Sequence, residues 1–201
     1  MLRNSELYYY KDPNDAEAKG SINLGGVMIK QLNQREAKEE VDKKFVIKVI
    51  QQQRTWYLSS ETQQDIMEWG FVLKKASYNF VGRELHVDPQ NTKKKDLQYK
   101  SINEALSYSE AQDRIIIHKG EYKEEIVVKK PLSFESDGEV TLLSNKRPCV
   151  TVNFFGCCQF KKINFIQNSP TGDFDGVMMK QGNAHFENCI IGIFKFFIPR
   201  E

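Results

Sequence analysis

A pattern of short strands recurring every 26 to 27 residues constrains this chain more than any other feature. Val150-Thr151-Val152 precedes Phe160 by ten residues, and Val177-Met178-Met179 precedes Phe186 by nine. Phe160-Lys161-Lys162-Ile163-Asn164-Phe165 then aligns with Phe186-Glu187-Asn188-Cys189-Ile190-Ile191. A strand repeat of this length marks a solenoid, because one turn cannot bury its apolar face alone and must stack on its neighbours. Strand-like runs are expected at residues 84–87, 114–118, 125–128, 132–135, 140–143, 150–153, 160–166, 177–180 and 186–191. A single helix opens the series. Ser101-Ile102-Asn103-Glu104 has the capping-box spacing, with Ile102, Ala105 and Leu106 expected to face inward.

The first part of the chain is organised differently. Strand-like runs Leu7-Tyr8-Tyr9-Tyr10-Lys11, Lys19 to Leu24, Val27-Met28-Ile29, Phe45 to Val49 and Arg54 to Leu58 are separated by turn signals such as Asp12-Pro13-Asn14-Asp15. They lead into one helix over residues 60–76. Ile66, Trp69, Leu73 and Ala76 fall at offsets 0, 3, 7 and 10 on one of its faces. This predicts a small β-sandwich closed at one end by a helix whose Trp69 is buried and structural. Two domains are expected, residues 1–76 and 84–201, joined by a linker over 77–83.

Strand order, spacing and the helix tryptophan of residues 2–76 resemble a pleckstrin homology (PH) domain. The resemblance implies phosphoinositide or protein binding. It also implies that the first strand, most of the second and the hairpin between them are missing, Met1-Leu2-Arg3 being the tail of the second strand. That hairpin supplies the main cations in lipid-binding members. By position, two family contacts remain for lipid: Tyr9 on the third strand and Lys19 before the fourth. Residues 84 to about 192 resemble the first coils of a right-handed parallel β-helix of the pectin-lyase-like superfamily. The residues carrying this are Tyr99 to Leu106, Asp113 to Ile117, Gly120 to Val128 and Lys130-Pro131-Leu132. The helix would cover the edge of the first coil. Both ends of the chain read as cut. The apolar run Ile193-Phe194-Lys195-Phe196-Phe197-Ile198 predicts an exposed solenoid end at Phe194, Phe196 and Phe197, and self-association through it.

Charge narrows the partners. Residues 1–76 hold twelve Lys/Arg against eleven Asp/Glu, and 77–201 hold seventeen against sixteen. Neither part has the basic bias that nucleic-acid binding needs. Lys93-Lys94-Lys95 is a short solvated run. Cys149, Cys157, Cys158 and Cys189 lack CxxC spacing and read as reduced, buried thiols of a cytoplasmic protein. No apolar run is long enough to span a membrane, and no secretory leader is seen. Asp173 and Asp175 could bind calcium or act as an acid–base pair, although a Gly/Asp loop between coils is the simpler account. His86, His118 and His185 are isolated in sequence. No nucleophile motif or phosphate-cradling loop occurs, and no pectin-esterase-like Asp/Asp/Arg cluster. The expected function is therefore a non-enzymatic adaptor without cofactor or metal, peripheral to membranes if it binds lipid. The alternatives are a protein scaffold with no lipid binding and a polysaccharide-active enzyme.

Overall fold

The computed structural model describes residues 1–3, 5–51, 53–90, 96–169 and 175–193. The chain divides into two units, Met1–Phe80 with Phe155–Cys157 and Val81–Phe154 with Cys158–Glu201.

The first unit is built from two antiparallel three-stranded sheets. Strands β1 (Leu2–Arg3), β2 (Glu6–Tyr9) and β3 (Gly20–Asn23) form one. Strands β4 (Met28–Gln31), β5 (Phe45–Ile50) and β6 (Thr55–Ser60) form the other. Helix α1 (Gln34–Val41), which the sequence analysis missed, lies between β4 and β5. Its mostly polar residues bury only Ala37, so it offers no apolar stripe. Its N-terminus is nonetheless held by a full capping box, with Asn33 accepting from the Glu36 N–H at 3.0 Å and Glu36 accepting from the Asn33 N–H at 3.1 Å. Helix α2 (Gln63–Ser77) is capped by Thr62, whose hydroxyl accepts from the Asp65 N–H at 3.1 Å.

Burial on α2 corrects one expectation. Ile66, Leu73, Ala76 and Ser77 face the core with Leu7, Ile22, Leu24, Ile47 and Val49, but Trp69 is 41 % exposed. The inward line runs through Gly70: a Cβ there would lie 3.7 Å from Ile47 Cδ1. The helix therefore rests on its glycine, and the tryptophan one position earlier is turned to the flank.

The second unit is a parallel β-solenoid of about four turns. Its strands are β7 (Glu84–Val87), β8 (Gln98–Tyr99), β9 (Arg114–Tyr122), β10 (Ile126–Val128), β11 (Ser133–Ser144), β12 (Val150–Gln167), β13 (Val177–Glu187) and β14 (Ile190–Ile193). The ladders joining β7 to β8 and β9, β9 to β11, and β12 to β10, β11 and β14 are parallel. Several runs expected as separate strands are continuous. Residues 132–135 and 140–143 join in β11, and 150–153 and 160–166 join in β12. The chain turns corners inside β11 and β12 at the left-handed residues Gly138 and Lys162, and passes from β13 to β14 at the left-handed Asn188. Lys162 and Asn188 are one repeat apart. At Gly138 the coils approach closely, since a Cβ would meet Lys119 Cβ at 3.1 Å.

Inside the coil, apolar side chains stack in files. Phe134 lies parallel to Phe160 at 4.8 Å between ring centroids, Phe160 to Phe186 at 5.2 Å, and Phe165 meets Phe160 edge-on at 5.4 Å. Helix α3 (Ile102–Tyr108) buries Ile102 and Ala105 on the first coil, with Leu106 half-buried. Its capping differs from the expected box. Ser101 accepts from the Glu104 N–H, but Glu104 reaches back to the Lys100 N–H rather than to Ser101. The freed N–H groups of Ile102 and Asn103 bond instead to Glu124, both at 2.9 Å. The expected apolar end at Phe194, Phe196 and Phe197 lies outside the described residues, as do Lys93-Lys94-Lys95. Within them, Met178, Met179, Ile190 and Ile191 of the last strands are exposed.

Candidate functional site

Tyr9 ends β2 opposite Gly20 of β3, and Lys19 is the residue just before that pair. The Lys19 N–H donates to the Tyr9 carbonyl at 2.9 Å. Tyr9 does not stand free in solvent. Its ring is half-buried, 5.6 Å from the Trp56 ring and tilted 49° to it. It lies across Gly20, where a Cβ would fall 2.4 Å from the Tyr9 hydroxyl, so only glycine leaves it room. Trp56 is held in turn by Gln51, which accepts from the indole N–H at 3.0 Å and donates to the Asn23 carbonyl at 2.9 Å.

Arg54 completes this patch. Its guanidinium sits 3.6 Å from the centre of the Trp56 ring, in the range of a cation–π contact. Neither Arg54 nor Trp56 was singled out as a site residue. The signal was present in Arg54-Thr55-Trp56: residues two apart at a strand share a face, which puts the cation over the aromatic. The resulting surface is an exposed guanidinium backed by two aromatic rings, with Lys19 at the start of the adjoining strand. It can offer charge-assisted hydrogen bonds to a phosphate or carboxylate.

A second expected feature of this unit, Trp69, lies elsewhere. Leu2, Asp65, Glu68, Trp69 and Val72 line an open cavity of about 210 Å³.

The solenoid brings together residues far apart in sequence. His86 Nδ1 lies 3.2 Å from His118 Nε2, with the ring centroids 5.4 Å apart. That separation is close to the nitrogen–nitrogen distance plus two ring radii, so the nitrogens face each other in line, one donating and one accepting. Asp137 Oδ2 sits 3.0 Å from His118 Nδ1 on the other side of the ring. Beside this row, Arg114 pairs with Glu84 and with Glu135. Among the described residues no group of three or more His, Cys, Asp or Glu side chains is placed to hold a metal ion. His185 is exposed on β13. Asp175 is described and exposed, whereas Asp173 lies outside the described residues. None of the four cysteines forms a disulfide; burial pushes Cys149 up to about 11 and also raises Cys189, which suppresses thiolate chemistry at these two. A polar cavity of about 500 Å³ is lined by Asn103, Lys123, Glu124, Ser144 and Lys146, and its Glu124 is committed to the α3 N-terminus.

The strongest ionic contact of the solenoid is structural. Asp113 is 2 % exposed. It accepts from the Arg83 N–H at 2.9 Å, the Arg83 guanidinium at 2.7 Å and the Glu110 N–H at 2.8 Å. Burial pushes this carboxyl up, but the bonds from Arg83 and the two backbone N–H groups outweigh it and hold it below the usual carboxylate range.

No helix among the described residues is long and apolar enough to cross a membrane. No curated protein matches the chain. For residues 84–192 a parallel β-solenoid is shown, and membership of the pectin-lyase-like superfamily is not. For the first unit the comparison is positive: the PH domain family model matches residues 1–78, a span that ends one residue beyond α2.

Proposed function

We propose that this chain is a non-enzymatic adaptor in which the PH-like unit recognises partners and the solenoid supplies a rigid interaction surface. PH domains commonly bind phosphoinositides or proteins. The observation that carries our choice between them is the shallow patch of Arg54 over Trp56 beside Tyr9 and Lys19. A headgroup with several phosphates needs several converging donors to hold it. Arg54 can serve one anionic group, and Tyr9 is already engaged with Trp56. Membrane contact is therefore weak, charge-driven and indifferent to headgroup, and proteins are the principal ligands. In the cell this corresponds to a cytoplasmic protein that visits membranes peripherally.

Co-sedimentation with vesicles of neutral lipid, of phosphatidylserine and of each phosphoinositide tests this. Expected is slight binding to every anionic vesicle, lost on raising the salt and reduced in Arg54→Ala and Lys19→Ala. No binding to any vesicle at low salt favours the pure protein scaffold. Tight binding to one phosphoinositide, abolished by Lys19→Ala, refutes the proposal.

A further inference from the structure

Each ring of the solenoid's histidine pair has a carboxylate at the nitrogen turned away from the other ring. His86 on β7, His118 on β9 and Asp137 on β11 stand on three neighbouring parallel strands, and His118 and Asp137 are register partners. His86 is opposite Ile116, so its side chain shares a face with His118 two residues on. The Tyr122 hydroxyl holds the backbone under His118 by donating to its carbonyl at 2.7 Å. Asp137 Oδ2 lies 3.0 Å from His118 Nδ1, and Glu84 Oε2 lies 4.0 Å from His86 Nε2. A carboxylate only accepts, so it draws the ring proton to the outer nitrogen. The inner nitrogens, His86 Nδ1 and His118 Nε2, then face each other as lone pairs 3.2 Å apart. One shared proton satisfies them, and so does a metal ion that takes both lone pairs.

We propose that His86 Nδ1 and His118 Nε2 bind a borderline divalent metal ion such as Zn²⁺, with Asp137 and Glu84 holding the two rings from behind. Metal-binding imidazoles ordinarily donate their other N–H to a carboxylate or carbonyl, which fixes the tautomer and raises the basicity of the ligating nitrogen. Zinc–nitrogen bonds are about 2.0–2.1 Å long. With the nitrogens 3.2 Å apart, an ion bonded to both subtends an angle of about 100°, close to tetrahedral. The ion stands off the nitrogen–nitrogen line, so each ring turns by roughly 40° to aim at it. Both rings are about one-third exposed and have room to turn, and the more exposed carboxylates can follow them. The charged neighbours of the row are Glu84, Glu135 and Asp137 against Arg114, an excess of negative charge that favours a cation. Imidazole donors select Zn²⁺, Ni²⁺ or Cu²⁺ over Mg²⁺ and Ca²⁺, which take oxygen. Two side chains fall short of the three or four protein ligands of catalytic and structural zinc. The site is therefore an exchangeable surface one, whose other positions go to water or to a partner's ligand. It shares no residue with the Arg54–Trp56 patch and stands or falls separately from the adaptor.

The test titrates the full chain with Zn²⁺ alone in a calorimeter and takes the X-ray absorption spectrum of the zinc-loaded protein. Expected are one ion per chain and a shell of two imidazole nitrogens completed by oxygen. Cu²⁺ should bind more tightly than Zn²⁺, and excess Mg²⁺ or Ca²⁺ should not displace either. His86→Ala and His118→Ala should each weaken Zn²⁺ binding about tenfold or more, and Asp137→Asn about tenfold. His185→Ala, on β13, should leave it unchanged. Circular dichroism of the metal-free variants checks that each has folded. No saturable binding, a shell with sulfur or without two imidazoles, or undiminished binding in the two histidine variants overturns the inference. The wild-type absorption spectrum decides it even where a variant fails to fold. Wild-type affinity in Asp137→Asn would overturn the part given to the outer carboxylates.

Discussion

Replacing Phe160 by alanine should be the most damaging single truncation in the solenoid. The side chain is fully buried and sits in the middle of a three-ring file, stacked on Phe134 at 4.8 Å and Phe186 at 5.2 Å, with Phe165 edge-on. Truncating a buried phenylalanine costs about 3–5 kcal/mol, and each well-oriented ring pair contributes roughly 0.5–1.5 kcal/mol beyond its buried area. Because a solenoid is held by neighbour-to-neighbour contacts, Phe160→Ala weakens the coil interface on both sides. We expect a loss of about 5 kcal/mol, or a guanidinium chloride midpoint lowered by about 1–2 M in far-UV circular dichroism. Phe160→Leu keeps most of the volume and should cost about 1–2 kcal/mol. Phe186 is only half-buried and stacks on Phe160 from one side, so Phe186→Ala should cost clearly less. A Phe160→Ala midpoint within about 0.3 M of wild type, or a Phe186→Ala loss as large as that of Phe160→Ala, would refute the two-sided stacking argument.

Other outcomes follow from the same structure. Both tryptophans, Trp56 and Trp69, lie in the first unit, so their fluorescence midpoint should stay at the wild-type value in Phe160→Ala; a joint shift would show that the two units unfold as one. Trp69→Ala should cost only about 1 kcal/mol because the ring is partly in water, whereas Leu73→Ala should cost about 2–5 kcal/mol; thermal melts that reverse the order would contradict the assignment of the α2 faces. Asp113 has a depressed folded-state pKa, so its stabilisation is fully present above the unfolded value of about 4 and is lost as pH falls through the folded one. Asp113→Asn should therefore be less stable at neutral pH and show a flatter acid limb, and a parallel pH profile would count against the Arg83 pairing. Ile190→Lys with Ile191→Lys should reduce any concentration-dependent association seen by sedimentation velocity, since both side chains are exposed on the last described strand.

The solenoid was legible because its repeat is chemical as well as numerical. Phe160 and Phe186 recur at the file position of the coil and are found stacked there. What the pattern did not show was continuity. A sequence such as Phe160-Lys161-Lys162-Ile163 looks like one strand, and Glu135 to Val140 looks like a turn, yet both are corners inside long strands. Only the left-handed backbone at Lys162 and Gly138 distinguishes them, and lysine gives no hint of it. Helix α1 was hidden for the opposite reason. Its signal is the Asn33–Glu36 box, not hydrophobic periodicity, since only Ala37 is buried.

The candidate site was half legible, and the two halves failed differently. Tyr9 and Lys19 were named by position in a family pattern. Position placed them at neighbouring ends of β2 and β3, but it could not say that the tyrosine would lie over Gly20 and pack on Trp56. Arg54 was readable from strand geometry alone, since residues two apart share a face. Trp69 shows the limit of helical periodicity. Offsets 0, 3, 7 and 10 and offsets 0, 4, 7 and 11 both trace one face of α2, and they differ by only part of a turn. The inward position is taken by Gly70, which carries no hydrophobic signal; a Cβ there would lie in ordinary contact with Ile47, 3.7 Å from its Cδ1. The same rotation that takes Trp69 out of the core places it in the lining of an open cavity with Leu2, Asp65, Glu68 and Val72. A residue expected to close the fold is thereby left 41 % exposed on its flank.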